Sequence, residues 1–436
     1  MKKIENVFIL GIGGSGMSSI AKYLAQKGMK VEGYDQRKSY ITNQLEQDAV
    51  KVYFDIDNFI YSPNVLYIYS SAVPIDKTFL KNNLANNNVQ SRAEFLEKLS
   101  YENKIIGVTG THGKTSTTAL LAHIFHHNNI DVSYIYGGST SFHGIGGHYG
   151  KKDLPIILEV DEAFNTFKDI KIDDLLVTNI DEDHLDYFET FEKLIEAFRK
   201  VILNVKNNLV LNYDDQNIND LKIRNKHTIF SSKNGAEYKI NYPNKFIHNS
   251  KEYEIVSNLI GSHFVSNITG AIALAFLNGI EIEESLEAIK SFPGVNRRTE
   301  YLGTVRGIKL YDDYGHHPTE LKATITALKE ITKGKLYVIF QPHRYSRTNE
   351  KFEKFKEELE YADFSIVVDI YPAGEKPIPG VTSKNFESKN IKYLKSIRMI
   401  PAYLSSRVKE NDIVLTLGAG DITLLGPQII KYLDEK

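Results

Sequence analysis

The stretch Lys104-Ile-Ile-Gly-Val-Thr-Gly-Thr-His-Gly-Lys-Thr-Ser-Thr-Thr118 places a short apolar run before a glycine-rich turn and a helix-forming segment. A strand, a glycine loop and a helix in this order form the repeating unit of parallel α/β sheets. Positions 110–115 carry the glycines, lysine and threonine of a phosphate-binding loop, but Val108 stands where the usual loop has its first glycine. The stretch predicts an α/β domain that binds a polyphosphate through a shortened loop.

The loop side chains have complementary predicted roles toward a nucleoside triphosphate. Lys114 would neutralise charge on the β- and γ-phosphates, and the Thr115 hydroxyl would reach Mg²⁺. The alternative is an ordinary turn with an exposed lysine. The predicted ATP-binding residues of this segment are Gly110, Thr111, His112, Gly113, Lys114, Thr115 and Ser116.

Two acid-rich segments at predicted strand ends offer further ligands for magnesium. They are Glu159-Val-Asp-Glu162 and Asp181-Glu-Asp-His184. Carboxylates at the carboxyl edge of a parallel sheet face the ligand crevice, and Glu159 ends its strand directly, so it is the first choice. His184 is a weaker candidate on chemistry alone, because Mg²⁺ prefers oxygen and most loop histidines are solvated or structural.

A second glycine loop lies near the N-terminus. Gly11-Ile-Gly-Gly-Ser-Gly16 follows a short apolar run, and Asp35 ends the next predicted strand. This order matches a dinucleotide fingerprint, in which small residues let the backbone approach a diphosphate. The pattern predicts a bound nucleotide diphosphate; the alternative is a tight turn with a solvated Asp35.

Strand-like and helical segments alternate along nearly the whole chain, which indicates a three-domain α/β protein. Residues 1–100 and 295–436 are predicted to be Rossmann-like. Residues 101–294 are predicted to form a central parallel-sheet ATPase domain with a small antiparallel insertion around 225–260. The length of 436 residues also exceeds what one ordinary core accommodates.

Composition excludes several classes of protein. A net charge of -2 argues against a nucleic-acid binder, and the absence of cysteine removes disulfides and thiolate sites. No apolar run is long enough to span a bilayer, and glycines interrupt the apolar run that begins at Val7. We therefore expect a cytoplasmic protein that binds neither membrane nor nucleic acid, as a monomer or homodimer.

Taken together, these motifs resemble the Mur ligase family over essentially the whole chain. The resemblance is carried by Gly11–Ser18, Ser70-Ser71-Ala72, Arg92-Ala-Glu94, Gly110–Thr115, Thr178–His184, Asn296-Arg-Arg298, Asp312–Pro318 and Phe340–Thr348. It implies an ATP- and Mg²⁺-dependent ligase of peptidoglycan precursor synthesis, a step of cell-wall biogenesis that supports cell shape and cell division. The implied reaction joins L-alanine to UDP-N-acetylmuramate through an acyl phosphate and releases ADP and phosphate.

The resemblance also implies a role for residues in each domain. Residues 1–100 would bind the UDP-sugar, 101–294 ATP and 295–436 the amino acid. The UDP-sugar residues would be Gly13, Ser15, Gly16, Met17, Ser18, Asp35, Ser70, Ser71 and Arg92. Further ATP contacts would come from His263 and Asn267 beside the adenine, from Arg297 and Arg298 at the phosphates, and from Asp313 near the ribose. The implied catalytic residues are Lys114, Glu159, His184 and Arg297, and the implied metal ligands are Thr115, Glu159 and His184.

The amino-acid site is predicted after the strand Lys335–Phe340, where His343, Arg344 and Arg347 follow. Two guanidinium groups can bind a carboxylate in bidentate fashion and leave its amine to react; the alternative is a pair of surface arginines.

The sequence departs from the family pattern at one motif, and it leaves two alternative functions open. The family's Glu-Ala-Asp-Glu-Ser-Asp reads Glu159-Val-Asp-Glu-Ala-Phe164 here, which weakens predictions of substrate contacts at its end. A murein tripeptide ligase of the same family shares most motifs, although the run 341–348 favours the alanine enzyme. An NAD-dependent oxidoreductase would explain the first loop alone.

Overall fold

A five-stranded parallel sheet forms the N-terminal part of the computed structural model, which describes residues 5–435. The strand order is β3-β2-β1-β4-β5. Four of the five residues of β1 are buried, as expected where helices cover both faces of a parallel sheet. The elements are β1 (Asn6–Leu10), α1 (Ser15–Gln26), β2 (Lys30–Tyr34), α2 (Tyr40–Gln47), β3 (Lys51–Tyr53), β4 (Val65–Tyr69), β5 (Val89–Ser91) and α3 (Arg92–Glu102).

A ten-stranded sheet follows, with the order β15-β14-β13-β12-β11-β10-β6-β9-β7-β8. All five residues of β6, the strand before the phosphate loop, are buried. The strands are β6 (Ile105–Thr109), β7 (Ser133–Thr140), β8 (Gly144–His148), β9 (Ile156–Glu159), β10 (Asp174–Val177), β11 (Leu209–Asn212), β12 (Thr228–Ser231), β13 (Tyr238–Asn241), β14 (Lys245–His248) and β15 (Lys251–Glu254). The helices are α4 (Lys114–His127), α5 (Leu185–Phe188), α6 (Phe191–Leu203), α7 (Gln216–Asp220), α8 (Ser262–Leu277) and α9 (Ile282–Ser291).

The region predicted as a small antiparallel insertion extends this same sheet. Only β13, β14 and β15 pair antiparallel, whereas β12 pairs parallel with both β11 and β13. At the opposite edge, β7 and β8 form an antiparallel hairpin that the sequence analysis did not anticipate. Edge pairing of this kind satisfies backbone groups of the outermost parallel strands, so the central sheet is mixed at both edges.

A third sheet, of six strands, has the order β16-β17-β21-β18-β19-β20 and one antiparallel edge pair, β16 with β17. Its strands are β16 (Glu300–Val305), β17 (Ile308–Asp313), β18 (Leu336–Phe340), β19 (Phe364–Val367), β20 (Ile391–Tyr393) and β21 (Ile413–Leu417). Its helices are α10 (Pro318–Ile331), α11 (Tyr345–Glu350), α12 (Phe352–Tyr361), α13 (Ile400–Ser405) and α14 (Leu425–Asp434).

The chain divides into two compact units. Unit 1 comprises residues up to 258 and 265–295 and holds the first two sheets; unit 2 comprises 259–264 and 296 onward and holds the third. One apolar core joins both sheets of unit 1, with Ile9 and Ile20 in the same cluster as Ile145 and Leu175. The predicted three-region α/β fold is confirmed. Among the described residues, no helix combines the length and apolarity needed to cross a membrane.

Candidate functional site

The phosphate loop between β6 and α4 depends on its two glycines. Gly110 has φ +136° and Gly113 has φ +81°, backbone conformations that residues with a side chain rarely adopt. A Cβ on Gly110 would lie 2.1 Å from Thr178 Oγ1, and one on Gly113 would lie 2.8 Å from Asn267 Nδ2. The predicted adenine residue Asn267 therefore lies directly against this loop.

Side chains from the end of β10 hold the loop in place. Asn179 contacts His112 at two points: its Oδ1 accepts from the His112 amide at 2.8 Å, and its Nδ2 donates to the His112 carbonyl at 2.9 Å. Thr178 Oγ1 donates to the same carbonyl at 2.7 Å. The loop is thus preorganised by protein contacts. The sequence analysis did not assign Asn179, although it quoted the motif that contains it.

Lys114, the first residue of α4, lies in a cage of oxygens with its side chain 12% exposed. Its Nζ donates to the carbonyls of Gly110 at 2.7 Å and Thr111 at 3.2 Å, and to Glu162 Oε2 at 2.7 Å. Burial lowers its pKa, but the carboxylates of Glu162 and Asp161 more than compensate, so the pKa is raised and the ammonium keeps its charge.

Glu162 is a site residue that the sequence analysis noted but did not assign. Its side chain is 1% exposed, and burial raises its pKa. Its Oε1 lies 3.7 Å from His184 Nε2 and accepts no hydrogen bond from any described residue. A buried carboxylate oxygen in this state is suited to a metal ion or to a substrate proton donor.

Among the predicted metal ligands, His184 lies beside Glu162, whereas Glu159 and Thr115 lie at the end of β9 and in the first turn of α4. Glu159 ends β9, is 8% exposed, and its Oε2 accepts from the Gly137 amide at 2.7 Å. His184 has φ 56°, with Nε2 3.9 Å from Asp183 Oδ2. Thr115 and Ser116, in the first turn of α4, are each 6% exposed. An oxygen-rich group of this kind fits Mg²⁺.

The N-terminal glycine loop is closed by Asp35. Its Oδ2 accepts from the Gly13 amide at 2.8 Å, and its Oδ1 accepts from the Arg37 amide at 3.3 Å. One carboxylate oxygen therefore holds the glycine loop and the other holds the turn after β2, which is a structural role beside the predicted ligand contact. In the segment after β4, Ser70 Oγ accepts a hydrogen bond from the Ala72 amide at 3.3 Å, and the neighbouring Ser71 is exposed.

Two residues of the predicted UDP-sugar set point into the protein. Met17 is 2% exposed within the apolar core, and Ser18 is 1% exposed with its hydroxyl donating to the Ser15 carbonyl at 2.9 Å. Their amides already donate to the Gly14 carbonyl. Helix packing thus occupies these two residues, whereas Ser15 at the start of α1 stays exposed.

Arg92 links the first loop to the acidic end of β9. A Cβ on Gly16 would lie 2.9 Å from Arg92 Nε, and Arg92 Nη1 lies 3.5 Å from Asp161 Oδ2. Asp161 Oδ1 lies 3.9 Å from Lys114 Nζ. Unit 1 therefore holds a continuous series of charged groups between its two glycine loops.

Unit 2 carries the predicted arginine pair on an aromatic ring. The guanidinium carbons of Arg297 and Arg298 lie 4.8 and 5.1 Å from the ring centroid of Tyr314. Arg297 donates to the carbonyls of Gly418 and Gly420. These contacts orient the two side chains by cation–π and hydrogen-bond interactions.

Asp313, which is predicted to contact the ribose, is buried and hydrogen-bonded within the protein. It is 5% exposed, and its carboxylate accepts from the amides of Thr299 and Gly315, each at 2.7 Å. Burial raises the pKa of Asp313 to about 6. In the structure Asp313 organises the loop after β17, and the predicted ribose contact stays a prediction.

The predicted amino-acid residues follow β18 in unit 2. Burial, together with the neighbouring cationic side chains, lowers the pKa of His343 to about 3, and its ring stacks on Tyr371. Arg344 Nε donates to Glu375 Oε1 at 2.6 Å, a partner that the sequence analysis missed. Arg347 lies in α11, one turn beyond. His263, also in unit 2, is the second residue of α8, and its ring lies against Phe264.

Comparison with known proteins adds an independent finding. Three family models match: "Mur ligase family, catalytic domain" at residues 6–103, "Mur ligase middle domain" at 108–275, and "Mur ligase, glutamate ligase domain" at 297–420. A curated UDP-N-acetylmuramate–L-alanine ligase from Geotalea daltonii is 36% identical, covering 99% of this chain and 99% of its own length. The chain belongs to the Mur ligase family. A protein of the same name from Caldicellulosiruptor saccharolyticus is 35% identical over 96% of this chain and 97% of its own.

Solved structures of the family share the fold. The crystal structure of a UDP-N-acetylmuramate–alanine ligase from Thermotoga maritima has a TM-score of 0.83 and 25% identity, covering 99% of this chain and all of its own. A murein peptide ligase from Psychrobacter arcticus has a TM-score of 0.68 at 20% identity, covering 99% of each chain, which shows the fold alone.

Proposed function

We propose that the chain is an ATP-dependent ligase that joins L-alanine to UDP-N-acetylmuramate in peptidoglycan precursor synthesis. The observation that carries the proposal is the series of charged side chains Lys114, Asp161 and Arg92. The Arg92 guanidinium lies against Gly16 of the first loop. A triphosphate on the second loop and a sugar nucleotide on the first would meet at one acidic strand end. The shared name of the full-length curated relatives supports the same pair of substrates.

The reaction builds negative charge first on the phosphoryl oxygens and then on the carbonyl oxygen, and the site must stabilise both. A carboxylate oxygen of the sugar's lactyl group attacks the γ-phosphorus, the bond to the β-phosphate breaks, and ADP leaves. The L-alanine amine then attacks the acyl phosphate carbonyl, phosphate leaves with the C–O electron pair, and the amine loses a proton. Lys114, which keeps its charge within the oxygen cage, would stabilise the phosphoryl group during transfer.

Mg²⁺ would neutralise phosphate charge when bound. The residues that would hold it are Glu159, Glu162 and Thr115, with His184 beside them. The fit rests on the buried Glu162 Oε1, which accepts no hydrogen bond within residues 5–435.

The three sheet regions would divide the substrates. We assign the UDP-sugar to residues 1–100, ATP to 101–294 and L-alanine to 295–436. Within the first region we favour the loop glycines with Ser15 and Arg92 over Met17 and Ser18, because the latter two are buried in the core. For L-alanine we propose His343, Arg344 and Arg347, which follow the carboxyl end of β18.

The test is phosphate release from ATP with UDP-N-acetylmuramate and a panel of amino acids. We expect release that needs both the sugar nucleotide and L-alanine, with Mg²⁺ present. Product formation with the murein tripeptide in place of L-alanine would support the related peptide ligase instead. Tight NAD binding without UDP-N-acetylmuramate binding, measured by calorimetry, would support the oxidoreductase alternative and overturn the proposal.

A further inference from the structure

Five of the 13 histidines lie together around the C-terminal end of α4, the end opposite the phosphate loop. Neighbouring rings in the group have centroids 4.9 to 6.1 Å apart. The members are His123, His126 and His127 on α4 and His143 and His148 on or beside the β7–β8 hairpin. The proposed ligase reaction uses none of them.

Two of these histidines and a neighbouring aspartate have ligand atoms close to one another. The ligand atoms of His126, Asp131 and His148 all lie within 4.8 Å of one another. Asp131 Oδ1 is 2.7 Å from His148 Nε2 and 4.0 Å from His126 Nε2. Two ligands about 2.0–2.1 Å from a tetrahedral zinc ion lie roughly 3.3 Å apart. The two distances fall on either side of that spacing, so small side-chain movements suffice to complete the site.

Access and electrostatics also suit a cation. The three side chains are 18%, 46% and 26% exposed in chain order, so an ion can reach them from solvent. The site lies beyond the C-terminus of a 14-residue helix, where the macrodipole favours positive charge. His126 Nε2 also lies 2.9 Å from the Val132 carbonyl, a contact that a metal ion would replace.

We propose that His126, Asp131 and His148 bind a divalent transition-metal ion of the zinc class, with water as the fourth ligand. Imidazole and carboxylate together suit Zn²⁺, whereas Mg²⁺ prefers oxygen alone. The site is therefore chemically distinct from the acidic strand ends beside Lys114.

The position of the site assigns it a stabilising role. It ties the end of α4 to the β7–β8 hairpin, and that hairpin is bonded to α1 of the first sheet. Ser19 Oγ donates to the Tyr136 carbonyl at 2.6 Å, and Lys22 Nζ donates to the His143 carbonyl at 2.7 Å. A bound ion would reinforce the junction of the two sheets within unit 1.

The test is a calorimetric titration of the full, chelator-treated chain with Zn²⁺ in saturating Mg²⁺, with Co²⁺ absorption as a second probe. We compare the wild type with His148→Ala, Asp131→Asn and the matched control His127→Ala, an exposed histidine of the same helix. The wild type and the control should bind one more Zn²⁺ than the two ligand variants. If the ligand variants still bind that ion, their affinity for Zn²⁺ should fall by at least about 10-fold, because losing a residue that only supports a metal ligand already lowers metal affinity by about that factor.

Two outcomes overturn the proposal. One is equal Zn²⁺ stoichiometry and affinity in the wild type and both ligand variants. The other is the same loss in the His127→Ala control. If circular dichroism shows that His148→Ala does not fold, Asp131→Asn decides alone, because its half-exposed side chain tolerates an isosteric change.

Discussion

Replacing Lys114 by methionine should destabilise unit 1 chiefly through the carboxylate that it leaves behind. The change removes an ammonium 2.7 Å from Glu162 Oε2, and the Glu162 side chain is only 1% exposed. Removing one partner of a buried ion pair costs about 3–5 kcal/mol, because the other charge stays buried and uncompensated. We expect a loss in that range, together with loss of ligation.

A second substitution tests this cause. Glu162→Gln alone keeps an acceptor for Lys114 and should cost about 1–2 kcal/mol, the difference between a charged and a neutral hydrogen bond. The double variant Lys114→Met/Glu162→Gln leaves no carboxylate without a cationic partner at this point, because Asp161 keeps Arg92. It should therefore be more stable than Lys114→Met by at least about 2 kcal/mol, which is about 30-fold in the ratio of folded to unfolded protein.

The assay is denaturant unfolding followed by far-ultraviolet circular dichroism, since the chain has no tryptophan, with hydrogen exchange of α4 peptides to report on unit 1. Lys193→Met serves as control, because its pair with Glu189 is exposed to solvent, where screening leaves an ion pair with little effect on stability. A double variant as unstable as Lys114→Met would refute the reasoning, as would a Lys114→Met loss no larger than that of the control.

Three further predictions concern other parts of the molecule. Arg347→Ala should raise the KM for L-alanine about 10- to 100-fold, the effect of one charged hydrogen bond, while the KM for ATP changes little in steady-state kinetics. Arg92→Met should weaken UDP-N-acetylmuramate binding in calorimetry more than ATP binding, because the guanidinium lies against Gly16; equal losses would contradict this. Burial raises the pKa of Glu375, but hydrogen bonds from Ser346 and Arg344 outweigh it and hold that pKa at about 2. The stability difference between wild type and Glu375→Gln should therefore be complete above pH 4.5 and disappear as pH falls through about 2; denaturant unfolding at several pH values checks this, and a pH-independent difference would contradict it.

The fold class and the two glycine loops could be predicted from local sequence alone. The alternation of buried strands and amphipathic helices is visible within short segments of sequence. A glycine in a loop motif indicates a backbone with positive φ, because other residues rarely adopt it. Gly110 and Gly113 behave as the motif predicts, and β1 and β6 lie where the apolar runs that begin at Val7 and Lys104 predict strands.

Edge strands were less predictable. The region around 225–260 was predicted to be a separate antiparallel insertion, because short polar strands carry little periodicity. Their pairing with β11 depends on a partner far along the chain. The β7–β8 hairpin was not predicted from the sequence, because the glycines in both strands weaken the pattern typical of a strand.

Which side chains meet at the site was decided by the tertiary structure. Lys114 and Glu162 are 48 residues apart, and Arg92 and Asp161 are 69 apart; no local pattern relates them. The sequence indicated that acids follow two strands, but strand order and side-chain direction selected Glu162 as the partner of Lys114. The same applies to Met17 and Ser18, whose helical phase directs them into the core. Residue type and spacing determined what chemistry this chain carries, whereas long-range packing determined which atoms come within reach of one another.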